Sequence, residues 1–278
     1  MSVLTTGMVP RMHDLTGTAG ANHDQRVGDA SALIAADPSR ALAAFETLVA
    51  ASVMTTNVTA DKVLAFDDAS EILDARRIAI AAEGGDTGRG LSRFAKGSWA
   101  PRREAFEDLW TDGRSAVYGA VNIGGPGAGF GDFCLVIESP DVGATGVAVF
   151  PGDSAQRYTD PASDVDEGAV LDEATAWDDR AALAVVERAD DVQSRPSSEW
   201  PTVLCSPDRY LETVRLGALP LSAIASVRLA SDERSELRSL RSLVVRGQTV
   251  SPTDRRRAAA YAALYRWRRS LGVAIETV

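Results

Sequence analysis

Tyr118–Ile137, with the sequence YGAVNIGGPGAGFGDFCLVI, decides the fold class that this chain predicts. Two short apolar runs, Val117–Ile123 and Phe133–Glu138, flank its Gly-rich connection, and a third run follows at Val147–Phe150. Each run is bounded by Gly, Pro or Asp, which is typical of short β-strands. Because irregular Gly-rich turns rather than regular helices join the strands, we expect an α+β protein with a split, mainly antiparallel sheet.

Helices are predicted on both sides of this β region. Asp37-Pro38 has the pattern of a helix start, and apolar residues at helical spacing extend that helix to about Ala51. A second helix is predicted over Ala69–Ala81. Ser231–Val245 carries leucines at helical spacing, and Ser-Pro-Thr-Asp at 251–254 is a capping sequence for one further helix. We therefore expect N-terminal helices and a C-terminal helical pair.

The segment between the strands and the C-terminal helices is acidic at its start. Val170–Val192 has the spacing of a helix, and strands are predicted after it at Val203–Cys205, Tyr210–Leu216 and Ile224–Leu229. The domain organisation expected from these patterns has three parts. Residues 1–28 lack periodicity and predict a flexible leader, 29–230 an α+β core domain, and 231–278 a helical extension packed on that core.

Composition limits the classes of partner. Hydrophobic residues make up 45% and charged residues 24% of the chain, as in a soluble globular protein. The net charge of -10 argues against broad attraction to nucleic acid or to an anionic membrane. Two cysteines, Cys134 and Cys205, give neither a disulfide framework nor a zinc spacing. With no secretory segment and no membrane-length apolar run, we expect a cytoplasmic protein.

The Gly cluster at 124–131 fits neither common phosphate-binding motif. It contains no lysine, which a Walker A loop needs, and it runs into Phe133 and a strand rather than into a helix. Two interpretations stay open: a flexible connection between strands, or a loop that closes over a ligand. Both histidines precede residue 24, so a Ser-His-Asp triad or a Cys-His pair within the folded region is excluded.

Glu212 is the strongest candidate for a functional residue. Strand alternation places it on one face with Tyr210, Val214 and Leu216. A carboxylate on an apolar strand face costs free energy unless it is paired or functional. Its partner is either one of the many arginines or a ligand in a cleft, where its pKa would be raised.

Polar residues of the strand around Tyr118 give a second candidate. Alternation places Tyr118, Ala120 and Asn122 on one face, which either lines a pocket or is the solvated face of the sheet. Asp164, Asp166 and Glu167 resemble a divalent-ion loop but lack EF-hand spacing. We therefore predict no metal ligands.

Several short motifs occur in an order that resembles an uncharacterised bacterial family, the domain-of-unknown-function family numbered 3626. The likeness covers about residues 57–230. The matching pieces are Gly85-Asp86-Thr87-Gly88-Arg89-Gly90-Leu91, Tyr118-Gly119-Ala120-Val121-Asn122, Phe130-Gly131-Asp132-Phe133-Cys134, Gly152-Asp153-Ser154 and Tyr210-Leu211-Glu212 with Gly217. The family pattern carries histidines where this chain has Asn57–Lys62 and Ala155.

More loosely, the arrangement is similar to ADP-ribosyltransferase-like folds. That likeness implies NAD as substrate and Glu212 as the catalytic residue, which would hold the nicotinamide ribose and stabilise an oxocarbenium-like state. It also implies stacking of Tyr118 or Phe133 on the nicotinamide ring and pairing of Arg89 with the pyrophosphate. Asn122, from the polar strand face, completes the expected cofactor-binding residues.

The leading functional hypothesis is therefore an NAD-dependent ADP-ribosyltransferase-like enzyme whose small-molecule partner is a nucleotide and whose acceptor is unidentified. One alternative is a catalytically silent binding or interaction module of the same fold. Another is a metal-dependent hydrolase that uses the acidic segment.

Overall fold

The structure is a computed structural model that describes residues 12–95, 99–138 and 146–278. Its strands are β1 Val53–Val58, β2 Glu71–Ile72, β3 Val117–Asn122, β4 Phe133–Ile137, β5 Val147–Phe150, β6 Thr175–Ala176, β7 Cys205–Ser206, β8 Arg209–Tyr210, β9 Glu212–Arg215, β10 Leu219–Pro220, β11 Ile224–Leu229 and β12 Ala274–Thr277. They are split between one eight-stranded sheet, in the order β12-β11-β4-β1-β3-β9-β5-β6, and two two-stranded sheets, β10-β2 and β7-β8. Every pairing is antiparallel except that of β11 with β12.

The helices are α1 Leu15–Ala21, α2 His23–Ala36, α3 Ala41–Ala50, α4 Ala60–Ala69, α5 Ala75–Ala82, α6 Thr87–Phe94, α7 Trp99–Glu107, α8 Ser154–Tyr158, α9 Glu167–Glu173, α10 Arg180–Ser194, α11 Trp200–Leu204, α12 Ser231–Val245 and α13 Pro252–Ser270. Helices thus precede and follow the sheet, and the C-terminal pair is α12 with α13. The predicted α+β class, with its mainly antiparallel strands, is confirmed.

The two faces of the large sheet differ in what they bury. One face packs apolar residues such as Val121, Phe133 and Leu135 into a core with α3, α4, α10 and α13. Strand register places Tyr118, Ala120, Glu212 and Val214 on the opposite face. That second face packs against α1, α7, α8 and α9 around a smaller core, and part of it lines a cavity.

The strands predicted around the Gly-rich connection are confirmed to within one residue at each end. Their apolar side chains alternate between the two faces, so local sequence is enough to place them. The two C-terminal helices are confirmed as well. Ser251 caps α13 by accepting a hydrogen bond from the Asp254 backbone N–H at 3.1 Å.

The prediction of a flexible leader is wrong for residues 15–28, which form α1 and the first part of α2. The side chain of Asn22 donates hydrogen bonds to the backbone carbonyls of Leu171 and Ala174, each at 2.8 Å. These distant contacts stabilise a segment whose Gly- and Thr-rich composition disfavours helix. Residues 1–11 of the predicted leader lie outside the described residues.

Two predicted N-terminal helix boundaries are corrected. Pro38 precedes α3 instead of opening it, because the Asp37 carboxylate accepts hydrogen bonds from the backbone N–H groups of Ser39 and Leu42 and forms a turn ahead of the helix. The helix predicted from Ala69 begins later, since α4 ends there and β2 follows. Asp74 caps the new helix, α5.

Two predictions in the acidic half are also corrected. The helix predicted over Val170–Val192 is divided into α9 and α10, because the intervening β6 pairs with β5 at the edge of the sheet. Val203 lies in the short α11 instead of a strand, and only Cys205 of that run is extended. Among the described residues, no helix has the length and apolar character needed to cross a membrane.

Candidate functional site

A cavity of about 310 Å³ lies beside the face of the large sheet that carries Tyr118, Ala120 and Glu212. Its walls come from β1, β3 and β9, from the start of α4, from α5 and α7, and from the Gly-rich loop between β3 and β4. The lining is rich in aromatic rings, namely Phe66, Trp99, Tyr118, Phe130 and Tyr210. Its charged residues are Lys62, Asp74, Arg103, Asp153 and Glu212. An apolar wall with a few polar groups is typical of small-molecule sites.

Glu212 begins β9, where it is buried with 3% of its surface exposed. Its Oε2 atom accepts hydrogen bonds from the Ser154 backbone N–H at 2.9 Å, from the Ser154 hydroxyl, and from Arg103 Nη1 at 3.3 Å. Its Oε1 atom accepts from Arg103 Nη2 at 3.1 Å. All four contacts come from donors, so they stabilise the ionised carboxylate.

Arg103 supplies the positive charge of this cluster from α7. Its guanidinium also pairs with Asp153 at 3.0 Å and lies over the ring of Tyr118, 3.9 Å from the ring centroid. The side chain of Trp99 lies near the same guanidinium, 4.9 Å from centroid to Cζ. Two carboxylates and aromatic faces therefore compensate for burying the cation.

Burial and charge act against each other on the pKa values of this cluster. Burial raises the pKa of Glu212 above its ordinary value, while the Arg103 guanidinium acts in the opposite direction. Burial alone would lower the pKa of Arg103, but the negative charges of Glu212 and Asp153 raise it. Burial also raises the pKa of Tyr118 well above its ordinary value, so its phenol stays neutral and acts as a donor.

A second polar layer holds Tyr118 in place. Its hydroxyl donates to Glu107 Oε1 at 3.0 Å, and the other oxygen of Glu107 accepts a hydrogen bond from Arg76. Glu107 is buried, with 2% exposure. Because the Tyr118 ring is fixed at its hydroxyl end and stacks on Arg103, its position in the cavity wall is defined from two sides.

Two asparagines hold the Gly-rich loop against the cavity. Asn122 Oδ1 accepts hydrogen bonds from the backbone N–H groups of Gly124 and Gly125 at 2.8 and 3.0 Å. Asn57 Nδ2 donates to the carbonyl of Pro126 at 3.0 Å. Gly127 has a φ of +86°, and a Cβ there would lie 2.0 Å from Asn57 Oδ1, so this contact requires glycine. The loop is thus a fixed wall that contributes Ala128 and Phe130 to the lining.

The structure brings together two of the five predicted site residues, Glu212 and Tyr118, in the cavity lining. Asn122 lies on the same strand face but turns its side chain into the Gly-rich loop. Phe133 is fully buried in the core on the other face of the sheet. Arg89 is exposed over 78% of its side chain, pairs with Asp86, and lies outside the lining of this cavity.

The sequence reasoning missed Arg103 and Ser154 as partners of Glu212, and Asp153 as the second carboxylate that pairs with Arg103. For two of them a signal was present, because Asp153 and Ser154 belong to the Gly-Asp-Ser motif that comes shortly after the apolar strand β5. Asp153 caps α8 by accepting from the Gln156 backbone N–H at 3.0 Å, which aims the Ser154 N–H at Glu212. Arg103 had no local signal that separates it from the other arginines.

The described residues contain no group of three or more His, Cys, Asp or Glu side chains placed to hold a metal ion. In the acidic segment, Asp166 caps α9 and Glu167 forms a hydrogen bond with His13 at 2.8 Å. Burial raises the pKa of the Cys134 and Cys205 thiols to about 11 and about 12, so both are protonated near neutral pH. Among the described residues, the candidate chemistry of the cavity therefore depends on its carboxylates, on Arg103 and on its aromatic rings.

Comparisons with known proteins add no assignment. No protein-family model matches the chain, and no curated protein matches it significantly.

Proposed function

We propose that the cavity binds the nicotinamide ribosyl part of NAD and that the protein acts as an ADP-ribosyltransferase-like enzyme with Glu212 as its catalytic carboxylate. The observation that carries the proposal is the placement of Glu212 in an aromatic-lined cavity of small-molecule size. The nicotinamide ring of NAD is cationic and planar, so it suits a cavity with carboxylate and aromatic groups.

The hydrogen bonds of Glu212 leave acceptor capacity for a ligand. Each oxygen of an ionised carboxylate accepts about two hydrogen bonds. From the described residues, Oε2 accepts three donors and Oε1 accepts a single one, from Arg103. Oε1 is therefore the atom that would accept a ribose hydroxyl, and its negative charge would stabilise positive charge that develops on the ribose as nicotinamide leaves.

Arg103 and Ser154 are positioning residues in this proposal. They fix the orientation of Glu212 through its Oε2 atom and through one bond to Oε1. A fixed carboxylate needs no reorganisation when charge develops on the substrate, which is the source of such stabilisation. Tyr118 supplies an aromatic ring to the lining of the same cavity.

The test is a calorimetric titration of NAD into the wild-type protein and Glu212→Gln, with nicotinamide release measured on the same samples. We expect the wild type to bind NAD and to release nicotinamide, with water taking up the ADP-ribosyl group because no other acceptor is added, and Glu212→Gln to lose release by a factor of at least about 100. Circular dichroism of both proteins controls for folding. No binding heat at millimolar NAD would end the proposal.

A silent binding module is the second candidate, and one observation favours it. The carboxylate of Glu212 is already engaged by four donors, as in a structural ion pair. This candidate predicts that wild type and Glu212→Gln bind NAD and that neither releases nicotinamide.

A further inference from the structure

Lys62 is the charged residue of the cavity lining that has no hydrogen-bond or ion-pair partner within the described part of the chain. It lies in the first turn of α4, directly after β1. The chain contains one other lysine, Lys96. Partial burial lowers the pKa of the Lys62 ammonium, because the charged form is less well solvated in the cavity than in water.

The other charged groups of the lining are compensated where they stand. Arg103 lies between Glu212 and Asp153. Asp74 accepts hydrogen bonds from the backbone N–H groups of Arg76 and Arg77, both at 2.9 Å, as the cap of α5. Among the described residues of the lining, Lys62 is thus the one whose charge is left uncompensated, so a ligand group that pairs with it must be negative.

Lys62 and the Glu212 carboxylate lie at different positions along the cavity because they belong to different strands or follow them in the chain. Thr55 of β1 is in register with Ala120, and Ala120 with Glu212, so β3 lies between the strands that lead to the two groups. Two strand spacings amount to about 10 Å. Lys62 follows beyond the end of β1, so a ligand that contacts both groups must extend along the cavity.

We propose that Lys62 binds a phosphate group of the ligand, and that the cavity therefore takes a phosphorylated nucleoside whose ring and ribose lie at Tyr118 and Glu212. The identity of the ring depends on the proposed NAD function, whereas the phosphate contact does not. A phosphate offers several acceptor oxygens to an ammonium that has three donors. Lys62 takes the role that the sequence resemblance implies for Arg89, which is solvent-exposed.

Calorimetry with two ligands that differ by one phosphate tests this proposal. Nicotinamide mononucleotide and nicotinamide riboside are titrated into the wild type, Lys62→Met and Lys62→Arg. We expect the wild type to bind the mononucleotide at least about tenfold more tightly than the riboside, in keeping with one hydrogen-bonded charge pair. Lys62→Met should abolish that preference and leave riboside binding unchanged, and Lys62→Arg should retain part of it.

Arg268→Met is the matched control, because it removes one positive charge from an exposed position of α13 outside the cavity lining. It should behave as the wild type. Equal affinity of the wild type for the two ligands, or a phosphate preference that survives in Lys62→Met, would overturn the assignment of Lys62 without affecting the proposed NAD function.

If neither nicotinamide mononucleotide nor nicotinamide riboside binds, a titration with inorganic pyrophosphate distinguishes the proposed phosphate site from the proposed NAD function. Acetylation of Lys62 in the wild type by acetic anhydride is measured by mass spectrometry with and without pyrophosphate. If pyrophosphate binds and protects Lys62 from acetylation, the phosphate site is supported although the NAD function fails. Absent binding, or binding without protection of Lys62, would contradict the phosphate site. This readout also serves if Lys62→Met does not fold.

Discussion

Two buried arginines, Arg103 and Arg180, show how similar side chains can have different roles. Both are nearly inaccessible to solvent, and both lie over an aromatic ring, Tyr118 for Arg103 and Trp177 for Arg180, at 3.9 and 4.1 Å from the ring centroids. Arg103 binds carboxylates at the edge of a cavity. Arg180 binds neutral oxygens in the interior.

The partners of Arg180 explain the difference. Its described hydrogen bonds go to the Ser52 hydroxyl at 2.8 Å and to backbone carbonyls, including that of Trp177 at 2.9 Å. Burial lowers the pKa of Arg180, and Asp178 opposes this shift, whereas carboxylates raise the pKa of Arg103. A buried arginine alone therefore does not mark a site. A buried arginine whose carboxylate partner lines a cavity does.

The largest expected effect comes from removing Arg103. Arg103→Met leaves Glu212 buried without its counter-charge, and we expect a loss of about 3–5 kcal/mol in the free energy of unfolding. The double variant Arg103→Met/Glu212→Gln should recover part of this loss. Urea denaturation of the two single variants and the double variant measures the coupling energy. Additive losses would show that the pair is not coupled.

Arg180→Met should cost less, about 1–3 kcal/mol, because it leaves only neutral acceptors unsatisfied. The same urea denaturation measures this loss. Equal losses in Arg103→Met and Arg180→Met would remove the distinction between the two sites.

The pH dependence of stability also distinguishes Arg103 from Arg180. Arg103 lowers the pKa of Glu212, so Arg103→Met should raise that pKa further above its ordinary value of 4.5. The folded state then binds more protons than the unfolded state above pH 4.5, so the stability of the variant should fall as pH rises through this window.

The deficit of Arg103→Met relative to the wild type should accordingly be smallest at or below about pH 4.5 and should grow towards neutral pH. Arg180→Met should show a nearly constant deficit. Unfolding curves between about pH 4 and 8 measure both. A constant deficit in Arg103→Met would mean that Glu212 is not the group left uncompensated.

The smallest expected difference in the free energy of unfolding is between two variants that each remove a serine hydroxyl. Ser154→Ala removes a donor to a carboxylate, and Ser52→Ala removes an acceptor for the Arg180 guanidinium. Both hydrogen bonds involve a charged group, so each variant should cost about 1.5–3 kcal/mol, with Ser52→Ala at the lower end because backbone carbonyls still accept from Arg180. Thermal unfolding of the two variants compares them directly. A larger loss in Ser52→Ala would reverse the expected order.

Local pattern was sufficient to predict β3 and the run that contains β9, but not β1, which also lines the cavity. The alternation in β3 placed Tyr118 on one face, and the same reasoning marked Glu212 as a carboxylate that needed a partner. Such predictions succeed because strand period and burial are properties of neighbouring residues. The α+β class followed from the same strands and their Gly-rich turns.

Contacts between distant residues were not predictable in the same way. Arg103 and Glu212 are separated by 109 positions, and nothing near Arg103 distinguishes it from other arginines. The helices α1 and α2 depend on contacts such as that of Asn22 with Ala174, which local composition does not reveal. Asn122 was placed on the correct strand face, but its capture by the Gly-rich loop is a property of the turn.

A crystal structure of the protein with NAD or nicotinamide mononucleotide would show whether Glu212 binds the ribose of the nucleotide. We expect a ribose hydroxyl within about 2.7–3.0 Å of Glu212 Oε1, with the Arg103 and Ser154 contacts to Glu212 retained. A nucleotide bound elsewhere on the molecule, while the Glu212 cavity stays empty at saturating ligand, would contradict this expectation.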